Sequence, residues 1–471
     1  MATLSPTTDL QYILREQQAY APALAKTTAK ERRQKLTRIL DYLDEEANKQ
    51  ALIDALRTDL GKNQVEAILG EIGVIYGHIN YIKRHLKRWM EPRRVSTPLS
   101  MLGTMNYIYY EPKGSVLIIS PWNYPFNLAV VPLVYAIAAG CTVTLKPSEH
   151  SPATTRYLQQ MLGQLFAENE VRVVDGEAET SAALTRLPYD HIFFTGSPAV
   201  GKKVMAAAAE NLASVTLELG GKSPCVVDDD VDIKKSARNV AWGKFFNAGQ
   251  TCTAPDYLLV RDTVVDRYVP ALKQVLEDFY GPDPAQSDSL ARIVNEQQFD
   301  RLVATLEDAV KQGATVVHGG QHDRDRLFFA PTLLTGVTRE MRVMQEEIFG
   351  PILPVLDWAN LNEALSVIHR FPKPLAFYIQ ANNRTTVKRL LAETSAGGTL
   401  VNEFLLGNAN PALPFGGVGN SGLGKSFGYH GWVDFCNERA VLERKFLDLS
   451  MAYPPYTDKV KALVNKIYKW S

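Results

Sequence analysis

"HIFFTGSPAVGKKV", residues 191–204, carries a strand, a turn and a helix start in one short run. His191 to Thr195 form an apolar run around Phe193 and Phe194, the composition of a buried strand. Gly196 and Gly201 then bracket a turn, and Pro198 suits a first helical turn, where its missing N–H is not needed. A helix that starts there offers free N–H groups and a partial positive charge to a phosphate. The spacing is neither the G-x-G-x-x-G fingerprint nor a P-loop. A purely structural strand-to-helix turn explains the same residues, so phosphate binding stays open at this point.

The same unit repeats on both sides. Apolar strand runs stand at "SVLIISP" (115–121), "CTVTLKP" (141–147), "VRVVDG" (171–176) and "SVTLELGG" (214–221), with helical stretches such as 127–139 and 152–167 between them. This alternation predicts a parallel sheet with helices on both faces and ligands at the carboxyl ends of its strands. Upstream, residues 7–90 read as helical, with Leu36, Ile39, Leu40 and Leu43 on one apolar face. The basic run "YIKRHLKRWMEPRR" closes that segment as a solvated helix end, and Pro92 breaks it. "MNYIYYEPKGSVLIIS" (105–120) reads as strand, turn and buried strand.

Downstream lies a second alternating series. Its strands are "PCVVDD", "YLLVRD", "ILPVLD", "LAFYIQ" and "GGTLVN"; its helices include 232–246, 263–279, 296–312 and 383–394. A late strand, "AVLERKF", is free to pair with the 105–111 strand or with a partner subunit. The fold class is therefore α/β.

With 471 residues the chain is long enough for two or three domains. Acidic and basic residues balance at 51 each, which gives no global reason to bind nucleic acid. The N-terminus lacks a secretory pattern, and no apolar run is long enough to span a bilayer, so a cytoplasmic location is expected. The four cysteines, Cys141, Cys225, Cys252 and Cys436, form no CxxC pair and no zinc pattern; they are expected to be free thiols, with no metal.

Four stretches carry candidate chemistry. "LKPSEHSP" puts Lys146 and Glu149 just after a strand, where they could bind ribose hydroxyls or a phosphate, or simply form a surface loop. "SPWNYP" (120–125) holds Asn123 between Trp122 and Tyr124, as an oxyanion donor or a turn residue. "LELGGKSP" places Glu218 in an apolar strand before Gly220, as a general base of raised pKa or half of a buried ion pair. "NAGQTCTAPDY" (247–257) surrounds Cys252 with small and polar residues, whereas a packing cysteine usually has apolar neighbours. A working thiol needs a base or a positive field. The histidines show no protease pattern, so a cysteine acting with a carboxylate and an amide suits aldehyde or acyl chemistry better.

The ordered set PWN, KPSE, FTGS-x-x-x-G, LELGGKSP, GQTC, EEIFGP and PFGGVGNSG resembles the aldehyde dehydrogenase superfamily over nearly the whole chain. "AGQTCTAPDY", "PFGGVGNSGLG" and the late "MAYPPYTDKV" look most like its class 3 branch, which takes medium-to-long aliphatic and aromatic aldehydes and is usually dimeric. The resemblance implies a Rossmann-like cofactor domain (1–104 and 117–217), a catalytic α/β domain (218–426), oligomerisation strands (105–116 and 427–448) and a C-terminal tail (449–471). It implies Cys252 as nucleophile, Asn123 and the Cys252 backbone N–H as oxyanion hole, and Glu218 as the base that activates water. Cofactor contacts would come from Trp122, Lys146, Glu149, Gly196, Ser197, Gly201, Gly220, Glu347 and Phe349; Tyr124, Thr251 and Thr253 would line the substrate pocket.

Two departures from the family stand out. Pro198 replaces a polar residue common in relatives, and "VNEFLLGNANPALPFGG" lacks histidines often found before PFGG, which affects the substrate mouth and not the reaction. Glu149 would repel a 2′-phosphate, so NAD is favoured over NADP. Acyl transfer to coenzyme A, a silent structural protein on the same scaffold, and a thiol hydrolase are the competing readings. Residues 458–470 place Val460, Leu463, Val464 and Ile467 on one helical face. That helix could dock on its own domain, cover a substrate entrance for long apolar aldehydes, including polyene ones such as retinal or an apocarotenal, or touch a membrane surface.

Overall fold

The stretch at 191–204 folds as the strand His191–Gly196 followed by the helix Pro198–Ala209. A computed structural model describes residues 6–405, 410–446, 450 and 453–467. Five parallel strands run across the first sheet in the order Ser214–Leu219, His191–Gly196, Ser115–Ile119, Thr142–Lys146 and Val171–Val173. The short strand Gly422–Leu423 adds antiparallel to the first of these. Strand direction of build-up reverses between Ser115–Ile119 and His191–Gly196, which are neighbours. Such a switch point opens a crevice beyond the carboxyl ends, here flanked by Ser120–Asn123 and by Gly196–Ser197.

Both faces of this sheet are buried, and the period of two explains how. Val116, Ile118, Val143 and Leu145 pack with the N-terminal helices and the helix Asn127–Ala139. Leu117, Ile119, Ile192 and Phe194 pack on the opposite face against Val204, Ala208 and the first helix, through Leu10 and Leu14.

Ala29–Asp44, Glu46–Leu60 and Gly73–Trp89 form the N-terminal layer on one face of the first sheet, and Pro6–Ala25 lies against the other. Thr28 and Glu31 form a capping box at the second helix, and Asn63 caps the short helix Gln64–Ala67. A π-helical turn, Ile68–Ile72, follows it; such turns often mark functional positions.

The second sheet has seven strands, all parallel except the edge strand Thr315–His318. All five strands anticipated there are present. Thr315–His318 and Thr332–Thr335 are two more that the sequence reading lacks. Each is a four-residue run. Pro224–Val227 and Gly398–Val401 are as short, so length does not separate them, and pairing with neighbouring strands decides Thr315–His318 and Thr332–Thr335.

Cys436–Arg444 pairs antiparallel with Thr104–Pro112 along its whole length, the first of the two pairings open to "AVLERKF". Two element boundaries differ from expectation. Ser115 and Val116 belong to the first sheet and not to the outlying strands, because both are fully buried there. Residues Gly428–Asp434 form a helix, since Trp432 and Phe435 pack into the same core as the N-terminal helices. The tail helix Asp458–Ile467 is largely exposed, including Val464; residues 468–470 of the stretch read as amphipathic lie outside the described residues.

Candidate active site

Cys252 lies in the loop between the helix Ile233–Phe245 and the strand Tyr257–Arg261. A tight turn precedes it, in which Asn247 (φ 55°), Ala248 (φ 52°) and Gly249 (φ 73°) are consecutively left-handed. Only Gly takes this conformation without cost, so surrounding contacts must hold the other two. Gly249 is itself required: a Cβ there would sit 2.4 Å from the Gly350 carbonyl oxygen. Gln250 ties the turn down, donating to the carbonyls of Asn247 and Arg292 and accepting from the Val294 N–H at 3.0 Å.

Cys252 is only partly buried, whereas Cys141, Cys225 and Cys436 are buried. Burial pushes the Cys252 thiol up to about 12, and the carboxylates of Glu347 and Glu218 add to the shift; the backbone N–H groups of Cys252 and Thr253 oppose it. The resting thiol is therefore protonated at neutral pH.

Asn123 reaches this loop from the end of Ser115–Ile119. Its Nδ2 donates to the Gln250 carbonyl at 3.0 Å. One amide hydrogen is used in this way, which fixes the plane of the amide and leaves the second available to an oxyanion. Beside it the Tyr124 and Thr251 hydroxyls hydrogen-bond at 2.8 Å, joining two of the expected pocket residues. Thr253 is buried, and its carbonyl accepts the Tyr378 hydroxyl.

Glu218 stands on Ser214–Leu219 and is 5% exposed. Neither carboxylate oxygen has a hydrogen-bond partner of good geometry. Burial raises its pKa to about 8; Ser426 and Lys425 oppose that shift and Asp434 adds to it. The alternative of a buried ion pair is thereby disfavoured: among the described residues no cation is bonded to it. A carboxylate unpaired in a dry site and titrating near neutrality suits a general base.

Glu347 is raised likewise to about 8, chiefly by burial and then by Asp256, while the Gly221 N–H, Lys222 and Arg301 lower it. Its carboxylate occupies the space beside Gly220, where a Cβ would lie 2.3 Å from Oε2. Phe349 (φ 47°) stacks edge-on against Trp122, with ring centroids 5.3 Å apart. Thus Trp122, Gly220, Glu347 and Phe349 share one region next to Cys252.

Lys146 is buried and donates to the Pro147 carbonyl at 2.6 Å, with Glu149 at 3.9 Å. Burial lowers its pKa and Glu149 raises it. The Lys146 carbonyl also accepts the Ser120 N–H at 3.1 Å, which links this corner to the Asn123 loop. At the glycine turn, Ser197 caps Pro198–Ala209 by accepting the Val200 N–H at 3.4 Å. Added Cβ atoms would meet the Phe194 ring (2.5 Å at Gly196) and Leu219 (2.8 Å at Gly201). The glycines hence let the helix sit close on the sheet, and its N-terminus faces the crevice. A bare turn at a helix N-terminus, and a buried lysine beside the half-buried Glu149, fit a dinucleotide, and at Gly220 the missing Cβ leaves room for the Glu347 carboxylate.

Several residues that hold these loops in place carry no sequence signal. Lys222 is paired with Asp256 and donates to the carbonyls of Val343 at 2.8 Å and Glu346 at 3.0 Å. Asp256 accepts the Ile348 N–H at 3.0 Å, and Arg301 donates to the Ile348 carbonyl at 2.7 Å. This clamp holds the segment that carries Glu347 and Phe349. Lys62, Glu71 and Glu66 also reach the loops at Asn123, Asn127 and Asn247.

Comparison with known proteins identifies the family. The aldehyde dehydrogenase family model matches residues 2–441. A Staphylococcus aureus protein described as 4,4'-diaponeurosporen-aldehyde dehydrogenase is 44% identical, over 87% of this chain and 89% of its own length. Human aldehyde dehydrogenase family 3 member B1 is 46% identical, over 84% of each chain. A solved structure described as the substrate-bound state of Staphylococcus aureus AldH superposes with a TM-score of 0.92 at 40% identity, covering 97% of this chain and 98% of that one.

Proposed function

The chain belongs to the aldehyde dehydrogenase family, and from that premise we propose that it oxidises medium-to-long, aromatic or polyene aldehydes to carboxylic acids, with NAD, through Cys252. The observation that carries this reading is the convergence of Asn123 on the Gln250–Cys252 turn, with Glu218 unpaired and buried nearby.

The Cys252 thiol, protonated at rest, loses its proton to solvent water, and the thiolate adds to the aldehyde carbon to give a thiohemiacetal oxyanion. The free Asn123 N–H and the Cys252 backbone N–H stabilise that charge; one such donor is worth about 10²–10³ in rate. When bound, the nicotinamide cofactor supplies the hydride acceptor that turns the thiohemiacetal into a thioester. Glu218, once ionised, takes a proton from water, and the hydroxide releases the acid from sulfur.

The residues present would hold the cofactor in stated places: the Gly196–Gly201 turn and Ser197 at the pyrophosphate, Lys146 and Glu149 at the adenosine ribose, Glu347 and Phe349 at the nicotinamide end. Glu149 favours NAD, because a 2′-phosphate beside its carboxylate would be repelled. An unpaired base supports hydrolysis over acyl transfer to coenzyme A.

Residues 1–104 and 115–217 form the cofactor domain in this reading, and 218–426 the catalytic one. A homodimer is supported by Cys436–Arg444, which is paired on one side only and exposes Leu442. No described helix is long and apolar enough to cross a membrane. The exposed tail helix would shape access for long apolar aldehydes. A cytoplasmic setting suits four free thiols.

Steady-state kinetics with short, long, aromatic and apocarotenoid aldehydes, with NAD and NADP and with or without coenzyme A, test the reading. Failure of the purified protein to reduce either cofactor with every aldehyde overturns it. Truncation after Tyr456 tests the tail: an unchanged preference across chain length and unchanged membrane partitioning overturn its role.

A further inference from the structure

Lys62 and Glu71 are completely buried and form an ion pair of 2.5 Å under the catalytic loops. A buried pair of this kind gives little net stability, since desolvation offsets the attraction, and an apolar pair of similar volume often serves as well. Its geometry suggests a different use. The Lys62 ammonium donates to the Asn123 carbonyl at 2.8 Å and lies 4.1 Å from the centre of the Tyr124 ring. Glu71 accepts the Asn127 N–H at 2.7 Å. One ion pair therefore grips the oxyanion-donor segment at both ends.

Glu66, on the same short helical segment, grips the other loop. Its Oε1 accepts the N–H of Asn247, the first left-handed residue of the turn before Cys252, at 3.2 Å. The Asn247 side chain then bridges the two loops, donating to the carbonyls of Asn123 at 2.9 Å and Gln250 at 3.1 Å.

We propose that Lys62 and Glu66 are positioning residues that set the placement of Asn123 relative to Cys252, so that the N-terminal helical layer aims the oxyanion donor. Lys62 holds Asn123, Glu66 holds Asn247, and the two loops meet through Asn247 and Gln250. Neither residue touches a reacting atom. A misplacement of about an ångström at such a site costs on the order of 10²-fold in rate.

This inference rests on the aldehyde dehydrogenase reading, and the test separates the two. The variants are Glu66→Leu, which removes the oxygen that accepts the Asn247 N–H at similar volume, and the double change Lys62→Met/Glu71→Gln, which avoids an unpaired buried carboxylate. Lys35→Met, which breaks a pair with Glu170 elsewhere in the same layer, is the stability control. Measured are kcat, the KM for aldehyde, the Kd of NAD by fluorescence quenching, the melting temperature and the rate of Cys252 carbamidomethylation. The expected result is a kcat at least tenfold lower in both network variants, with the Kd of NAD within twofold of wild type and Lys35→Met unaffected in kcat. A kcat within twofold of wild type in folded network variants overturns the proposal, as does an equal loss in Lys35→Met. If the wild-type protein reduces no cofactor, the functional reading fails, and the alkylation rate alone decides this one. Alkylation at least threefold slower in both network variants, from misaligned N–H groups at the sulfur, supports it; an unchanged rate overturns it.

Discussion

Asn123 Nδ2 donates to the carbonyl of Gln250 at 3.0 Å, so the amide proposed to stabilise the oxyanion is bonded to the backbone of the loop that bears Cys252. The amide cannot rotate without breaking that bond. Asn123→Ala should lower kcat by about 10²–10³, the worth of one aimed donor. The KM for NAD should stay within a few-fold. Steady-state kinetics check this, and an unchanged kcat would remove Asn123 from the oxyanion hole.

Cys252 resists ionisation, with its thiol held up at about 12 by burial and by Glu347 and Glu218. The thiolate fraction of the cofactor-free protein should therefore climb about tenfold per pH unit through pH 8–10. Iodoacetamide labelling at Cys252, followed by mass spectrometry, should rise across that range without a plateau. A plateau near pH 7 would mean that another group activates the sulfur before cofactor binds. Cys252→Ala should abolish NAD reduction and leave the circular dichroism spectrum intact.

Glu218 titrates near 8 because burial disfavours its charge. As a base it works ionised, so the deacylation rate should increase as pH rises through about 8. Glu218→Gln should slow thioester hydrolysis and leave a burst of reduced cofactor in stopped flow; normal steady-state turnover would refute the assignment. Stability should move the other way. Between the ordinary value of 4.5 and about 8 the folded protein keeps a proton that the unfolded chain releases, so this group makes stability fall as pH rises. Glu218→Gln should melt higher than wild type above pH 8 and show no such gain below pH 4.5.

Lys222 and Asp256 clamp the segment 343–348 through the Val343 and Glu346 carbonyls and the Ile348 N–H. Asp256→Asn weakens the pairing with Lys222 while preserving shape. It should raise the KM for NAD about tenfold or more through a looser Glu347 and Phe349, with a smaller effect on the KM for aldehyde. Equal changes in both constants would place the clamp elsewhere in the mechanism.

The sequence by itself determined the β/α alternation, because strands buried on both faces read as continuous apolar runs. Val116 to Ile119 show why: alternate residues enter two different cores, so every one must be apolar. It also marked Cys252 and Glu218, each chemically out of keeping with its local surroundings, whereas Asn123 reads locally as a turn residue and stood out only through the ordered set of motifs. Tertiary structure alone decided what holds them. Lys62 and Glu66 look like ordinary polar positions on a helix, and their partners Asn123 and Asn247 lie 61 and 181 positions away. The same holds for Asp256, whose bond to the Ile348 N–H spans 92 positions. It holds too for the helix at Gly428–Asp434, fixed by Trp432 packing against Trp89. A charge acquires such a role only when folding removes water and leaves one distant backbone group as its partner.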